Sequence, residues 1–318
     1  MRVTMTRIGR ILLLAATAVL GSAALPAQQT ALPAQQTAQP QQTAQPPQPP
    51  QAQQAPEPAE PAPPPKPPEG SVIINLPSSD VPREGTLSLL FTHRFSQALQ
   101  DSDIHSLFSF DSGADIGIGL WYAPIHGLDV GFYRSSNLDV YELSAKYQLP
   151  FQGALHAAVR AGADFRTEKN LDQPLPGQAS SDYSRNGFFV QGIVSYLIAD
   201  RARFTLVPTY VSETSGQPFS TPKQSYKDLF SVPVAVSIRV LRSVNVQGEV
   251  YPRLGRADSP GVGWICAIEK TVPNHRFAFT VGNMRTTTVD QYVFAVPFDA
   301  HAHDMFIGFN LARQWKLK

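Results

Sequence analysis

The chain has 318 residues, 42% of them hydrophobic and 16% charged, with a formal net charge of +1. That length suits one large β domain with accessory segments, and the near-neutral balance excludes a strong electrostatic grip on nucleic acid. Beyond the N-terminus no run of about 18 apolar residues occurs, which excludes an ordinary helical membrane protein but not a β-barrel, whose lipid face hides in alternation.

Arg2, Arg7 and Arg10 precede an apolar stretch from Ile11 to Leu20, and the small residues Gly21, Ser22, Ala23 and Ala24 follow. A basic region, a short apolar region and a cleavage zone predict a secretory signal peptide over residues 1–27. No lipobox cysteine is present, so lipoprotein anchoring is not expected. Residues 28–70 are rich in Pro, Gln and Ala, and ALPAQQT stands twice in tandem at Ala24–Thr30 and Ala31–Thr37. Such a composition cannot bury a core and predicts a disordered linker, partly polyproline II, reaching on the order of 100 Å when extended. It would tether the protein to a periplasmic or cell-wall partner; repeat slippage in a tolerated tail is the competing reading. The alternating Ser71–Leu76 ends this tail and suits packing into a barrel mouth.

From Thr86 onward a period of two repeats, placing successive side chains on opposite faces of strands. Twelve strands are predicted: Thr86–Phe95, Ala114–Ala123, Leu128–Arg134, Asp139–Leu149, Ala154–Arg166, Gly187–Ala199, Arg203–Ser212, two within Leu229–Arg253, then Val262–Lys270, Arg276–Met284 and Asp304–Leu317. Connections after the even strands are short. Those after the first, fifth, seventh and eleventh are long, so long and short loops gather at opposite ends. This asymmetry, with strand lengths suited to a tilted span, predicts residues 71–318 as an antiparallel up-and-down transmembrane barrel in the bacterial outer membrane, its apolar face on lipid. A secreted soluble β protein is the alternative.

In the hairpin within Leu229–Arg253, a three-residue loop Leu241-Arg242-Ser243 would oppose Val240 to Val244 and keep the faces pure. Pro208 and Pro233 fall mid-strand and predict bulges. Trp121, Tyr122, Tyr133, Tyr141, Tyr147, Tyr210, Tyr251, Trp264 and Trp315 suggest an interfacial girdle. Gly117, Gly119, Gly131 and Gly162 on the polar face would relieve crowding inside. The lone Cys266 reads as a small buried hydrophobe.

The segments Asp80–Phe95, Asp111–Pro124 and Gly127–Ser136 resemble an uncharacterised bacterial family of exported β-barrel domains of unknown function. The resemblance spans most of Ile73–Lys318. It implies the barrel and the envelope location, and brings neither an activity nor site residues.

His301, His303 and Asp304 form the sharpest local cluster and could ligate a divalent metal from an extended segment; a solvated loop is the competing reading. Two strand histidines, His93 and His156, lack any motif that would place a nucleophile beside them, and His93 shares the apolar phase. Asp103 reads as an N-cap of a short amphipathic turn, Ile104–Phe108, suited to folding inward and narrowing the lumen. Phosphate loops and CxxC pairs are absent, so no cofactor is expected. The polar face collects Glu142, Lys146, His156, Arg160, Asp164, Arg239, Glu249, Glu269 and Arg276. Charges of mixed sign there would either close the lumen as a network or line a path for small solutes. The reading is a non-enzymatic, porin-like barrel, a small-solute channel. The alternatives are an outer-membrane enzyme acting on lipid or glycan and an anchor for a periplasmic partner.

Overall fold

The structure is a computed structural model, and it describes residues 70–151, 153–167, 186–199, 201–213, 227–252, 262–294 and 304–317. The signal-peptide reading, the linker up to residue 69, His301 and His303 lie outside the described residues.

The strands are β1 (Thr86–Phe95), β2 (Ala114–Ile125), β3 (Leu128–Ser135), β4 (Val140–Leu149), β5 (Leu155–Arg166), β6 (Asn186–Ile198) and β7 (Ala202–Leu206). There follow β8 (Thr209–Glu213), β9 (Lys227–Ser231), β10 (Val234–Leu241), β11 (Val244–Tyr251), β12 (Gly263–Val272), β13 (His275–Gly282) and β14 (Phe306–Lys316). A short helix, α1 (Val289–Phe294), precedes β14. Each strand pairs antiparallel with its neighbours, β1 pairs with both β2 and β14, and β5 pairs with β6, so the strand circuit closes on itself. The segments β7 and β8 make one spanning strand, as do β9 and β10, giving a closed barrel of 12 strands.

Pro208 and Pro233 cause the two breaks, but not by bulging. Leu206 pairs with Val194 before the first proline and Thr209 with Gln191 after it, which is one continuous register. The same holds between Leu206↔Val234 and Thr209↔Ser231. Each proline removes a ladder donor while the strand runs straight through. The bulges lie elsewhere, between Tyr122 and Ile125 and between Arg239 and Leu241. The second one resolves the β10–β11 hairpin. Ile238↔Val246 and Arg239↔Asn245 hold the expected register, yet Leu241 opposes Val244 across a two-residue Arg242-Ser243 turn. One extra residue on β10 reconciles a tight turn with unmixed faces.

The two faces are inverted relative to a soluble protein. Ile118, Leu120, Phe132, Val159, Val190, Ile238, Val246 and Phe279 are exposed on the outside, whereas Thr92, Asp129, Glu142, Lys146, Gln191, Thr205, Gln247 and Asn310 are buried inside. An apolar belt around a polar interior is stable only where lipid replaces water outside. Cys266 belongs to this outward face and is exposed, not buried. His93 also points outward, stacked on Phe309 with ring centroids 4.8 Å apart.

Three of the aromatic residues assigned to a girdle turn inward instead. Trp121, Tyr133 and Tyr251 are 7%, 4% and 0% exposed. Glycines make room for two of them: a Cβ at Gly119 or Gly131 would collide with the Trp121 ring, and one at Gly117 with the Tyr133 hydroxyl. We expect Gly131→Ala to cost about 1–3 kcal/mol through overpacking, read as a lower urea midpoint for the barrel in lipid vesicles. An unshifted midpoint would refute this packing role.

Candidate functional site: a polar lumen stoppered from within

Gly70–Ser79 does not join the sheet. It folds back on itself inside the lumen, with a bridge between Val72 and Pro77, Ile73 N–H donating to Leu76 O at 2.8 Å and Ser78 N–H to Ser71 O at 3.0 Å. Its tip, Ile74-Asn75-Leu76, reaches the Glu249 carboxylate on β11. Glu249 accepts the N–H groups of Ile74 (2.8 Å), Asn75 (3.0 Å) and Leu76 (3.0 Å), and the Tyr251 hydroxyl as well. Successive backbone N–H groups at a turn form a concave anion site, filled here by a side chain of the wall.

The remaining plug polar groups are met in the same way. Arg94 donates to Asn75 Oδ1 (3.0 Å) and Asn310 Oδ1 (2.8 Å), and Asn310 donates to Ile74 O (2.8 Å). Lys146 Nζ donates to the carbonyls of Ser71 (3.2 Å), Ser78 (3.3 Å) and Asp80 (2.8 Å). Ser71 Oγ donates to Asp129 (2.9 Å), and Arg276 donates to Val72 O (3.1 Å). Arg203 pairs with Asp80. A chain segment in a cavity needs such partners, because buried backbone groups without them are costly.

From the opposite end the segment before β14 folds in. On α1, Asp290 pairs with Arg166 at 3.2 Å, and both side chains are fully buried. Val289 N–H donates to Glu142 (3.2 Å), while Gln191 Nε2 donates to the Tyr292 hydroxyl (2.7 Å). Glu142 also pairs with Arg160, which donates to Gln191 (3.0 Å) and lies 5.0 Å from the Phe189 ring centroid. Ile74, Leu76, Phe189, Ile193, Tyr251, Met284, Val289 and Tyr292 join in one apolar cluster linking plug, wall and α1. Beside them a cavity of only about 30 Å³ separates plug and wall, room for a few waters at most.

The first long loop does not narrow the lumen as expected. Asp103 caps a 3₁₀ turn there, accepting from His105 N–H at 2.8 Å, but Ile104 and Phe108 are 62% and 53% exposed. The inward role belongs to α1, where the Val289 N–H, Asp290 and Tyr292 find partners on β4, β5 and β6.

Of the polar-face residues picked out by alternation, Glu142, Lys146, Arg160 and Glu249 sit among the contacts just described, while Arg276 holds the plug's base. Asp164 is buried, and its carboxylate oxygens have no hydrogen-bond partner among the described residues. Glu269 accepts from Asn245 (2.9 Å) and lies 3.3 Å from Arg276. His156 stands 3.9 Å from Asp80, and Arg239 lines a cavity at the short-turn end. Arg94, Asp129, Arg166, Arg203 and Asp290 are also buried in the lumen and were outside that set. The parity of Arg94 with Thr92, and of Asp129 with Gly131, could have found two of them; nothing local marks Asp290. Asp304 precedes β14, and its two proposed histidine partners lie outside the described residues.

Among solved structures the chain is similar to the NanC porin (8% identity, 73% of this chain and 100% of that one, TM-score 0.44). It is also similar to the KdgM porin (8%, 71% and 98%, TM-score 0.43) and to outer-membrane expressed OmpT of Vibrio cholerae (13%, 63% and 64%, TM-score 0.35). No curated protein matches the sequence. A family model described as "Membrane bound beta barrel domain" matches residues 69–315, in line with the closed strand circuit and its lipid-side face. The chain therefore belongs to this family, DUF5777.

Proposed function

We propose that the chain is a non-enzymatic outer-membrane barrel of the small-solute channel type, shut from inside by its own N-terminal plug, with its short turns toward the periplasm. The seam between plug and wall carries this reading. Among the described residues no strand of the wall pairs with the plug, and its backbone is held by lumen side chains. A segment paired into a sheet cannot leave without exposing an edge. A segment held by polar side chains can, because water satisfies both surfaces once they part. The linker before the plug would pass the pull of a periplasmic or cell-wall partner to it.

The filled lumen favours a second reading, a membrane anchor with no transport. Planar-bilayer recording separates the two. The intact chain is expected to stay closed, and a chain lacking residues 71–79 to conduct steadily. A plug-free barrel that is folded by heat-modifiable gel mobility, yet silent in the bilayer, would sink the channel reading and leave the anchor.

A further inference from the structure

The β1–β2 loop carries apolar side chains that the lumen does not use. Ile104, Leu107, Phe108 and Phe110 are each more than half exposed. Phe95, at the end of β1, shares the outward parity of Phe91 and His93, yet it is buried. The Phe110 ring packs edge-on against it, with centroids 5.1 Å apart. From there an aromatic run descends the outer wall, Phe95 lying 4.4 Å from His93 and His93 4.8 Å from Phe309. The loop therefore leans over the lipid-facing side of the wall. Leu99 N–H donates to Met305 O at 2.7 Å and Met305 N–H to Gln100 Oε1 at 3.0 Å, which clips the loop to the start of β14. Its backbone holds the apolar groups outward: Leu107, Phe108 and Ser109 have φ of 47°, 53° and 80°, a left-handed run that bulky residues rarely adopt. Ser109 Oγ donates to Gln97 O (2.7 Å), Phe108 N–H to Asp103 O (2.8 Å) and Asp111 N–H to Ser106 O (3.3 Å). Asp103 accepts the N–H groups of His105 and Ser106, so most N–H groups of the turn are satisfied within the loop. A segment that sits where water is scarce needs such internal partners.

We propose that the β1–β2 loop is an insertion foot, seating Ile104, Leu107, Phe108 and Phe110 in lipid at the membrane boundary of the long-loop end. Contiguous exposed apolar groups mark an interaction surface. Lipid is the occupant because the patch continues the lipid-facing wall through Phe110, Phe95 and His93. The drive is apolar burial. Attraction to anionic headgroups is not, since residues 96–113 carry Asp101, Asp103 and Asp111 and no Lys or Arg. Those carboxylates stay in water, which holds the insertion to boundary depth. The foot is independent of whether the lumen conducts.

Fluorescence of the full chain folded in phosphatidylcholine vesicles tests this. In a Cys266→Ser background, which removes the exposed thiol of the outer wall, Ile104→Cys carries a nitrobenzoxadiazole label. Blue-shifted emission is expected, quenched by lipid brominated on its acyl chains and little affected by iodide in the water. Adding Leu107→Ser and Phe108→Ser should cut the acyl-chain quenching roughly threefold or more, because less apolar surface holds the loop down. None of these three loop positions lies in a strand, and heat-modifiable gel mobility checks that each variant folds. Emission as in water, with full iodide quenching in folded protein, would overturn the foot. A dry label that brominated lipid does not quench would also overturn it and assign the patch to a protein surface, this chain's own or a second copy's. Unchanged acyl-chain quenching in the double-serine variant would show that these side chains do not place the loop.

Discussion

Glu249→Ala is expected to release the plug and raise the labelling rate of a cysteine placed at Ser79 by about a hundredfold. Glu249 is 1% exposed and is the acceptor for three successive N–H groups of the plug tip. Without it those donors stay buried and unpaired, at about 1–3 kcal/mol each. The penalty falls on the seated state alone, since a released tip finds water. Even at the low end the sum is about 3 kcal/mol, roughly two decades in the seated-to-released ratio. Ser79 is a fitting reporter because it is fully buried and its hydroxyl has no hydrogen-bond partner, so Ser79→Cys disturbs little. Cys266 must first become serine, because its thiol is exposed on the outer face. Glu249→Gln keeps one oxygen acceptor and should fall between the two. Equal maleimide labelling rates in parent and Glu249→Ala would show that this carboxylate does not hold the plug.

Arg166→Ala should be the most destabilising change at the other end of the lumen, by about 3–5 kcal/mol, because it leaves a buried carboxylate without its cation. The pair it breaks, with Asp290, is fully buried on both sides. A second buried carboxyl, Asp164, lies within electrostatic reach of Asp290 and offers it no cation in place of Arg166. Arg166 also donates to Glu213 O at 3.0 Å, so part of the loss belongs to β8 and not to α1. A double-mutant cycle with Asp290→Asn isolates the pair. Urea unfolding in lipid vesicles should show the double variant losing clearly less than the sum of the single ones. Strict additivity would mean that α1 is held by its apolar contacts and the pair is incidental.

Strand positions and faces were legible because alternation is a local property. β1 begins and ends where the pattern does, at Thr86 and Phe95, and the partners of Ile238 and Arg239 follow from keeping valines on one face. The bulge that turns Leu241-Arg242-Ser243 into a two-residue turn was not legible, since one extra residue leaves the alternation on either side unchanged. Trp121, Tyr133 and Tyr251 were placed at an interface from their type. Their inward parity with Gly117, Gly119, Gly131 and Glu249 was the better guide, and it shows only when neighbouring strands are read together.

What the sequence determined by itself is the barrel. A period of two sustained over twelve strands, with loops long at one end and short at the other, admits few other folds for a chain with no long apolar run. It also marked Ser71–Leu76 as a segment suited to the barrel mouth and placed Glu142, Lys146, Arg160 and Glu249 on the polar face. Only the tertiary structure decided that the lumen is filled, and by what. Glu249 and Ile74 are 175 positions apart in the chain, and Arg166 and Asp290 are 124 apart. No local pattern encodes such pairings. They arise because closing the sheet removes water from its interior, and each polar group brought inside must then find a partner there.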